Sequence, residues 1–565
     1  MQPIYATSIK INKSCFHLTL RSGENLKNAG VYLVRQELNP AVKERTLLPF
    51  CCAHKGENAV EAELDIAEMD TDHADWSVLV SFDPAGPGEG IAGFAETETE
   101  LSAALKKAGA SEKQEDSAAP GEQERHSSLY SVILGGGLRV RLILGNYEYR
   151  REGRIFFPMG STGHRLILRC RPATKYDGLG TRLKEFLAFG LYRVLRPMWN
   201  KKRIWVVFEK YSFSAQDNGF YFFRYCMENL EEKDRKRIFF ILDRDSAQWP
   251  AVEKYGRNVI PFMSFRHILY MLAARLYVAS DSRIHGYLWQ PKPNLISREI
   301  NRHDIYFLQH GVLALKRVEK LFGRNGACPV TYFTASSAFE QNIVVREFGY
   351  DPEKVPVVGL ARWDVLENHE DPGRPSILVM PTWRSWLEYL DDEEFRKSEY
   401  YRRYTSLIQN RELLDLLKDR GAELIFYIHP KLSRYMKNFH TDSSLVKLIS
   451  FGEEPLNRLL MECSMLVTDY SSVCWDVYYQ EKPLLFYQFD LDLYEKTNGS
   501  YIDMEKDLFG ERCTEETELV EKLKEYMADG FREKEIYAAM RPGYFAYRDH
   551  SNCRRTYEYI IGKGY

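Results

Sequence analysis

The sequence predicts an α/β protein in which a mainly-β domain precedes two facing, Rossmann-like domains. Three observations support this fold class. Apolar and polar residues alternate with a period of two in the first part of the chain, as in half-buried antiparallel strands. After residue 203, short runs that are apolar throughout alternate with helical patterns, as in parallel strands covered on both faces. The length of 565 residues leaves room for about three or four domains.

The composition is that of a mainly globular chain without an overall charge bias. Hydrophobic residues make up 44% of the sequence and charged residues 28%. The 77 basic and 80 acidic side chains leave a formal charge of -3, so nucleic acid is not expected as a partner. The 10 cysteines include no C-x-x-C pair and no regular spacing. They predict buried thiols in a reducing compartment rather than a zinc site or a disulfide framework.

Residues 1–175 are expected to form the mainly-β accessory domain. Its predicted strands cover residues 16–20, 31–34, 76–80, 138–142 and 166–168. Residues 106–128 are rich in Lys, Glu, Ala, Ser and Gln and lack apolar periodicity, which predicts a disordered insertion.

Residues 176–203 predict a basic amphipathic connector. Apolar residues recur at steps of three and four from Leu183 to Met198. Seven basic residues and a single acidic residue, Glu185, lie between Arg182 and Arg203. Such a helix fits an interfacial membrane anchor, but a surface helix packed on a neighbouring domain has the same pattern. Both interpretations stay open.

Two α/β domains are predicted to follow, in residues 204–365 and 370–565. The strands expected in the first are 204–208, 238–242, 276–279, 305–308 and 332–335. Those expected in the second are 377–380, 424–428, 465–467 and 484–487. Ligands of open parallel sheets bind beyond the carboxyl ends of the strands, so the two domains should enclose a binding cleft.

Polar motifs follow five of these strands directly. They are Ser280-Asp281-Ser282, Gln309-His310-Gly311, Pro381-Thr382-Trp383-Arg384, His429-Pro430-Lys431 and Thr468-Asp469-Tyr470-Ser471-Ser472. Because each motif comes at the carboxyl end of a strand, all five are expected to point into the same cleft.

The last motif predicts a phosphate site. Ser471 and Ser472 should precede a helix, where backbone N–H groups and hydroxyls can hold a phosphate. Simple N-capping is the alternative, and the other motifs favour the phosphate site over it. Asp476, one turn into the helix, would accept a hydrogen bond from a ligand hydroxyl or only favour the helix N-terminus.

Two histidines are candidates for catalysis. His310 is followed by Gly311, which permits close backbone approach, and an imidazole with a pKa near ~6.5 can take a proton from an alcohol. His429, in the opposite domain, can donate a hydrogen bond or positive charge to a phosphoryl oxygen. Either residue alone fits a structural role, but the pair at strand ends in facing domains favours function.

Two arginines complete the candidate site. Arg384 is placed to fork onto phosphate oxygens, although a surface ion pair would look the same in sequence. Arg362, near the predicted linker of residues 360–375, has a similar but weaker claim. The sequence contains no Walker loop and no G-x-G-x-x-G motif, which argues against ATPases and dinucleotide oxidoreductases.

Together, residues 309–311, 381–384, 429–431 and 468–473 with Asp476 resemble the CDP-glycerol glycerophosphotransferase family, the teichoic-acid primases and polymerases of Gram-positive cell walls. The resemblance covers roughly residues 200–545. It implies a GT-B fold and transfer of a polyol phosphate from a CDP-activated donor to a hydroxyl of a lipid-linked acceptor, with CMP leaving. It also implies peripheral attachment to the cytoplasmic face of the membrane. No signal peptide or transmembrane helix is apparent in the sequence.

The resemblance assigns the two motif histidines to His310 and His429 and the donor-phosphate serines to Ser471 and Ser472. We interpret His310 as the general base, although the sequence does not decide between the histidines. The residues expected to hold the donor's phosphates and nucleotide are Arg384, Thr382, Asp469, Ser471, Ser472, Asp476 and Arg362, with Gly311, Ser280 and Asp281 in support. No metal or other cofactor is expected. The chain departs from the family pattern at Ala361 and Trp475, where Pro and Phe are more usual.

Two other functions stay open at this point. A CMP-sugar-dependent glycosyltransferase also fits, because bacterial sialyltransferases with a GT-B fold carry similar HP and SS motifs. A non-catalytic protein that binds surface polymers is less favoured, because His310, His429, Ser471 and Ser472 are all intact. The sequence does not decide the polyol, the number of units added, the oligomeric state or the role of residues 1–175.

Overall fold

The structure is a computed structural model that describes residues 2–36, 47–69, 74–82, 129–145, 147–288, 291–388, 390–450 and 452–565. The insertion predicted at residues 106–128 lies outside this range. The chain divides into two compact units. The first comprises Met1–Asp177 and Pro291–Asn294, and the second comprises Gly178–Gln290 and Leu295–Tyr565.

The first unit is mainly β, as predicted. Its strands are β1 (Ile4–Asn12), β2 (Cys15–Arg21), β3 (Gly30–Arg35), β4 (Leu47–Pro49), β5 (Cys51–His54), β6 (Ala59–Asp65), β7 (Ala74–Ser81), β8 (Leu129–Leu134), β9 (Tyr149–Arg151), β10 (Arg154–Gly160) and β11 (Leu166–Pro172). They pair in the order β5-β6-β2-β1-β8-β7-β11-β10-β9, and β3 joins β4 to β7. In β2, Phe16, Leu18 and Leu20 are buried at every second position, which is the burial expected of a sheet with one face on the core.

One predicted strand of this unit is wrong. Residues 138–142 lie in a helix, α1 (Gly136–Leu144). Leu138 and Leu142 are buried while Val140 between them is 54% exposed. Burial therefore follows the four-residue step of a helix rather than the two-residue step of a strand. Strand β1 was not predicted.

The second unit contains two parallel sheets, which confirms the predicted fold class. The first sheet consists of β12 (Ile204–Phe208), β13 (Ile238–Leu242), β14 (Val259–Pro261), β15 (Ala274–Ala279), β16 (Ile305–Phe307) and β17 (Tyr332–Phe333). The second consists of β18 (Ser376–Val379), β19 (Glu423–Tyr427), β20 (Val446–Ile449), β21 (Met465–Thr468), β22 (Leu484–Tyr487) and β23 (Glu511–Cys513). Strands β14, β20 and β23 were not predicted.

Helices connect these strands. They are α2 (Leu179–Val194), α3 (Arg196–Lys201), α4 (Asn218–Asn229), α5 (Glu232–Arg235), α6 (Trp249–Val252), α7 (Phe265–Ala273), α8 (Leu295–Ile300), α9 (Glu319–Phe322), α10 (Ala338–Phe348), α11 (Asp392–Lys397), α12 (Glu399–Ile408), α13 (Arg411–Arg420), α14 (Leu456–Glu462), α15 (Cys474–Tyr479), α16 (Leu491–Thr497), α17 (Glu516–Ala528), α18 (Glu535–Tyr544) and α19 (Asn552–Gly562). None of the helices within the described ranges is long and apolar enough to cross a membrane.

Both sheets have the same strand order. The first runs β14-β13-β12-β15-β16-β17 and the second β20-β19-β18-β21-β22-β23. In each sheet the strand order changes direction between the strand that comes first along the chain and the strand that comes fourth. Ligands of doubly wound sheets bind at the carboxyl ends of the two strands on either side of this reversal. The relevant strand ends are those of β12 and β15 in the first sheet, and of β18 and β21 in the second.

The last helix packs into the core of the first sheet, although its sequence lies at the end of the range predicted for the second domain, 370–565. Cys553 and Ile560 of α19 are buried in one cluster with Trp205 and Phe223. The N-terminus of α19 is capped by Asp364, whose carboxylate accepts hydrogen bonds from the backbone N–H groups of Asn552 and Cys553, both at 2.8 Å. Periodicity alone does not show which sheet a terminal helix covers.

Candidate active site

His310 lies at the centre of an acidic cluster in the first sheet. It follows β16, after a backbone turn in which Gln309 has a positive φ of 62°. Its Nδ1 lies 2.9 Å from Asp217 Oδ2 and its Nε2 2.9 Å from Asp281 Oδ2. Asp281 follows β15 as predicted, and Asp217 caps the N-terminus of α4. We refer to Asp217, Asp281 and His310 as the histidine cluster.

The cluster fixes the protonation state of its histidine. Burial alone would lower the pKa of His310, but the hydrogen bonds and charges of the two carboxylates raise it to about 10. Burial likewise opposes ionisation of Asp281, yet the hydrogen bond and charge of His310 hold the pKa of this carboxyl well below its usual range. The raised pKa favours the protonated imidazolium at neutral pH, in which both ring nitrogens are donors. The interpretation of His310 as the general base stays a prediction: in the protonated form the ring has no lone pair to accept a proton, whereas the carboxylates beside it do.

Arg362 and Asp476 form a buried ion pair rather than part of a ligand site. Arg362 Nε and Nη2 each lie 2.8 Å from an oxygen of Asp476, and Trp363 Nε1 donates to the same carboxylate at 2.8 Å. A third nitrogen of Arg362 lies 3.0 Å from Asp217 Oδ1. Arg362 is 6% exposed and Asp476 1% exposed, so neither side chain is open to a donor. The pair instead connects the helix after Ser471 and Ser472 to the histidine cluster.

Arg384 and Asp469 are also structural. Arg384 is fully buried, and its guanidinium is forked by Asp490 at 2.7 and 3.0 Å and bound by Asp469 at 2.8 Å. The other oxygen of Asp469 accepts hydrogen bonds from the backbone N–H groups of Thr382 and Tyr470. Direct contact of Arg384 and Asp469 with the donor stays a prediction, and the structure offers it no support because their polar groups are bound to each other, to Asp490 and to the backbone.

Other predicted residues lie in the loops that follow the strands, as expected. Ser471 and Ser472 are half-buried in the loop before α15. A Cβ atom on Gly311 would come within 2.6 Å of Ser472 Oγ, so the glycine is required for the two sheets' loops to meet. The half-buried Thr382 has a buried Oγ1 without a hydrogen-bond partner, and so does the fully buried Ser280. Of these residues, Ser471, Ser472 and Thr382 are partly exposed, whereas Ser280 is not.

His429 differs from His310 in charge. Its Nδ1 accepts a hydrogen bond from the backbone N–H of Lys431 at 3.2 Å, which leaves the proton of the neutral ring on Nε2. Burial, followed by the charges of Lys210, Lys431 and Lys316, lowers its pKa to about 3. His429 is therefore neutral at physiological pH. It can donate a hydrogen bond through Nε2, but it does not supply the positive charge that the sequence also allowed.

A group of three lysines surrounds this histidine, and sequence reasoning missed it as a site. Lys431 Nζ lies 3.7 Å and Lys316 Nζ 4.9 Å from the centre of the Trp383 ring, which also stacks on His429. Burial and the charges of Lys431 and Lys210 lower the pKa of Lys316 to about 8. Lys431 also pairs with Glu388 at 3.2 Å. We call Lys210, Lys316 and Lys431 the lysine group.

Sequence signals for two of these lysines existed. Lys210 comes two residues after β12, next to the point where the strand order reverses. Lys431 is the last residue of the motif His429-Pro430-Lys431. Lys316 follows His310 by six residues, in a loop without regular structure. No sequence pattern identifies it as a site residue. Asp217 was missed because eight residues separate it from the end of β12.

The comparison with known protein families identifies the chain. The family described as CDP-Glycerol:Poly(glycerophosphate) glycerophosphotransferase matches residues 191–562. The chain belongs to this family. The resemblance read from the motifs is thereby confirmed.

Individual glycerophosphotransferase relatives are distant. The minor teichoic acid biosynthesis protein GgaB of Bacillus subtilis (strain 168) is 27% identical over 392 residues, covering 67% of this chain and 42% of the relative. The teichoic acid poly(glycerol phosphate) polymerase of the same strain is 24% identical over 436 residues, covering 70% of this chain and 52% of the relative. The chain thus spans about half the length of these relatives. The solved structure of the wall teichoic acid polymerase TagF is 17% identical and covers 70% of this chain and 100% of that one, with a TM-score of 0.46.

Within this glycerophosphotransferase family member, the cleft joins two groups of opposite charge. The histidine cluster has two carboxylates and one imidazolium, and so carries a net negative charge. The lysine group provides cations around a neutral, hydrogen-bonding histidine. Such a cleft can hold an anionic ligand on the lysine side and accept a proton on the other.

Proposed function

We propose that the chain transfers glycerol phosphate, or a related polyol phosphate, from CDP-glycerol to a hydroxyl of a lipid-linked acceptor. CMP is released, and the reaction belongs to the synthesis of teichoic acid or a related surface polymer. Membership of the glycerophosphotransferase family supports this reaction class. The observation that carries the proposal is the pairing of the negatively charged histidine cluster with the lysine group in one cleft.

In the proposed mechanism, the histidine cluster receives the acceptor's proton as a unit. A lone imidazolium has no site for another proton, but the two carboxylates around it do. The acceptor O–H bond breaks, its oxygen forms a bond to the β-phosphorus, and the bond from that phosphorus to CMP breaks. The proton moves to the cluster and later to solvent. Phosphoryl transfer mainly requires positioning and neutralisation of charge, so a weak proton acceptor suffices.

The lysine group neutralises the diphosphate of the donor in this mechanism. Ammonium groups of Lys210, Lys316 and Lys431 would face the phosphate oxygens, and His429 would donate a hydrogen bond from Nε2. The partly exposed Ser471 and Ser472 would supply hydroxyls, as would Thr382 if a ligand reaches its buried Oγ1. We propose that no metal or other cofactor is needed, because these side chains provide the charge. CMP release that persists after treatment with EDTA is the expected result.

The test is CMP release from CDP-glycerol in the presence of a lipid-linked acceptor. We expect His310→Ala and His429→Ala to reduce the rate strongly, since general acid–base and electrostatic groups contribute about 100-fold or more. The exposed His369 lies 3.3 Å from the carboxylate of nearby Glu367, and His369→Ala serves as the matched control. Full activity in both cleft variants would reject the assignment. CDP-ribitol and a CMP-sugar, assayed in parallel, identify the donor.

We also propose that the chain associates peripherally with a membrane surface through α2. This helix packs on α7 through its buried side, which carries Thr181, Ala188 and Tyr192. Its apolar side faces outward: Leu183 is 60% and Val194 78% exposed. Such an arrangement disfavours the alternative in which the apolar stripe packs on a neighbouring domain. An exposed apolar stripe on a basic helix is typical of interfacial binding.

Sedimentation with lipid vesicles tests this association. The Leu183→Ser/Val194→Ser variant should lose most of its vesicle binding, because it removes apolar area from the stripe. The matched control is Val140→Ser/Ile536→Ser, which changes two comparably exposed apolar residues elsewhere. Equal binding by both variants would exclude α2 as the anchor.

A further inference from the structure

A second basic site lies at the opposite edge of the first sheet from the cleft. It is a cavity of about 500 Å³ lined by Arg196, Arg203, Arg275 and Arg302, together with His303 and Asp304. Arg203 directly precedes β12, and Asp304 directly precedes β16. All strands of this sheet are parallel, so their amino ends meet at one edge and their carboxyl ends at the other. The cavity is therefore separate from the candidate active site.

The side chains that line the cavity carry a positive net charge. Four guanidinium groups line it against the carboxylate of Asp304, which is already engaged by hydrogen bonds from Tyr565 at 2.8 Å and Thr331 at 3.2 Å. Arg275 lies over the ring of Tyr565 with its guanidinium carbon 4.9 Å from the ring centre. Burial lowers the pKa of His303, so this ring adds hydrogen-bonding capacity rather than charge.

The arginines keep donors for a ligand. Arg203 donates to the backbone oxygen of Gly564, and Arg302 pairs with Glu299 at 3.2 Å while its side chain stays 61% exposed. Arg196 and Arg275 are exposed. Guanidinium groups bind phosphate oxygens in a bidentate manner and are favoured at phosphate sites. A cavity of this size lies within the range of small-molecule sites, about 300–1,000 Å³.

We propose that this cavity binds the phosphate of an anionic lipid headgroup. The proposal rests on the membrane association proposed above for α2, because cavity-lining residues of α2 and α3 lie next to residues of the apolar stripe in the sequence. Tyr192 of α2 and Arg196 of α3 line the cavity, while Leu191, Val194 and Met198, which alternate with them in sequence, are exposed. A helix lying on a bilayer with this stripe would bring the arginines to the level of the headgroups, where basic pockets bind lipid phosphates.

Two matched variants test the cavity. Arg275→Gln/Arg302→Gln removes two exposed charges from it, and Lys184→Gln/Arg193→Gln removes two exposed charges from α2 outside it. Each should bind vesicles of phosphatidylcholine alone like the native chain. On vesicles that also contain phosphatidylglycerol, we expect the cavity variant to lose about tenfold more affinity than the control. Equal losses of affinity in the two variants would mean that only non-specific electrostatic attraction to the vesicle surface acts, and would overturn the proposal.

A calorimetric titration with inorganic phosphate distinguishes the two sources of the anion. We expect the native chain to bind inorganic phosphate weakly. The cavity variant should lose both this binding and the preference for vesicles that contain phosphatidylglycerol. If the cavity variant loses phosphate binding but keeps the preference, the ligand is a free phosphate and the lipid assignment is overturned.

The same experiment separates this proposal from the proposed function. Failure of the native chain to bind any vesicle would reject the association through α2. Vesicle binding with a preference that does not depend on Arg275 and Arg302 would reject the cavity alone. CMP release in detergent with the lipid-linked acceptor should be the same in the cavity variant and the native chain, and thermal unfolding verifies that the fold is kept.

Discussion

Replacing Asp281 by Asn should lower the pKa of His310 and reduce the stability of the fold at neutral pH. Two carboxylates raise this pKa from 6.5 to about 10, against the effect of burial. The amide side chain would keep a hydrogen-bond acceptor near Nε2 but remove one of the two charges, so the pKa should fall toward its ordinary value. Each pKa unit corresponds to about 1.4 kcal/mol, and solvent reaches 41% of the His310 side chain. After allowance for this screening, the lost ion pair should cost roughly 1–2 kcal/mol of stability.

The sign of the pH dependence follows from the direction of the shift. A group with a raised pKa in the folded state stabilises the fold fully below its unfolded pKa and loses this effect as the pH rises through its folded pKa. The contribution of His310 is thus complete below about pH 6.5 and disappears toward pH 10. The Asp281 carboxyl, with its lowered pKa, stabilises above its ordinary value of 3.8 and loses this effect in acid.

Carbon-detected NMR of labelled histidine measures the titration, with the resonance assigned through His310→Gln. Chemical denaturation between pH 6 and pH 10 gives the stability of the native chain and of Asp281→Asn. The difference in free energy of unfolding should shrink as the pH rises. Glu388→Gln, which removes a carboxylate beside the lysine group, is the control and should leave the His310 titration nearly unchanged. An unaltered His310 pKa in Asp281→Asn, with the fold intact, would refute the proposed cluster.

Three further predictions concern the cleft. Gly311→Ala should reduce activity and destabilise the fold by about 1–3 kcal/mol through its clash with Ser472. The added change Ser472→Gly should restore the stability but not the activity, because it removes a hydroxyl proposed to hold the donor phosphate; undiminished rate and stability in the single variant would contradict the contact. Arg384→Met should lower the free energy of unfolding by about 3–5 kcal/mol, because it leaves two buried carboxylates unpaired, and denaturation in urea measures this. Lys316→Gln should raise KM for CDP-glycerol about tenfold or more. The rate of the native chain should decline above about pH 8 as this lysine loses its proton, and Lys316→Arg should move the decline to higher pH; an unmoved decline would assign it to another group.

The sequence was sufficient to find most strands of the two parallel sheets and the residues that follow them. Parallel strands covered on both faces are apolar throughout, so β12 and β13 appear at their predicted bounds, and His310 and His429 do follow strands. Short peripheral strands such as β23 were missed because a three-residue segment carries almost no pattern. The error at residues 138–142 has a related cause, since two leucines four residues apart fit both a helix and an alternating strand.

The roles of the buried charges could not be predicted in the same way. An arginine after a strand looks the same in sequence whether it binds a ligand phosphate or an aspartate. The partners of Arg384 lie 85 and 106 residues away, and that of Arg362 lies 114 residues away. Only the folded chain brings these groups together. Once these buried ion pairs are set aside, the charged groups left to bind a ligand are the lysine group and the histidine cluster.

The basic connector, residues 176–203, is a second case in which the sequence pattern left the role of a segment open. Its position also relates the proposed membrane association to the proposed transfer reaction. Its pattern did not decide between an anchor and a packed helix, because packing was expected to use the apolar stripe. In the structure, α2 packs through Thr181, Ala188 and Tyr192, two of which are small or polar, and leaves the stripe exposed. The cavity then lies at the amino edge of the sheet that α2 adjoins, while the cleft lies at the carboxyl edge. The proposed lipid-headgroup site and the proposed transfer site therefore lie at opposite edges of one sheet, so substitutions at one edge should leave the function proposed for the other intact.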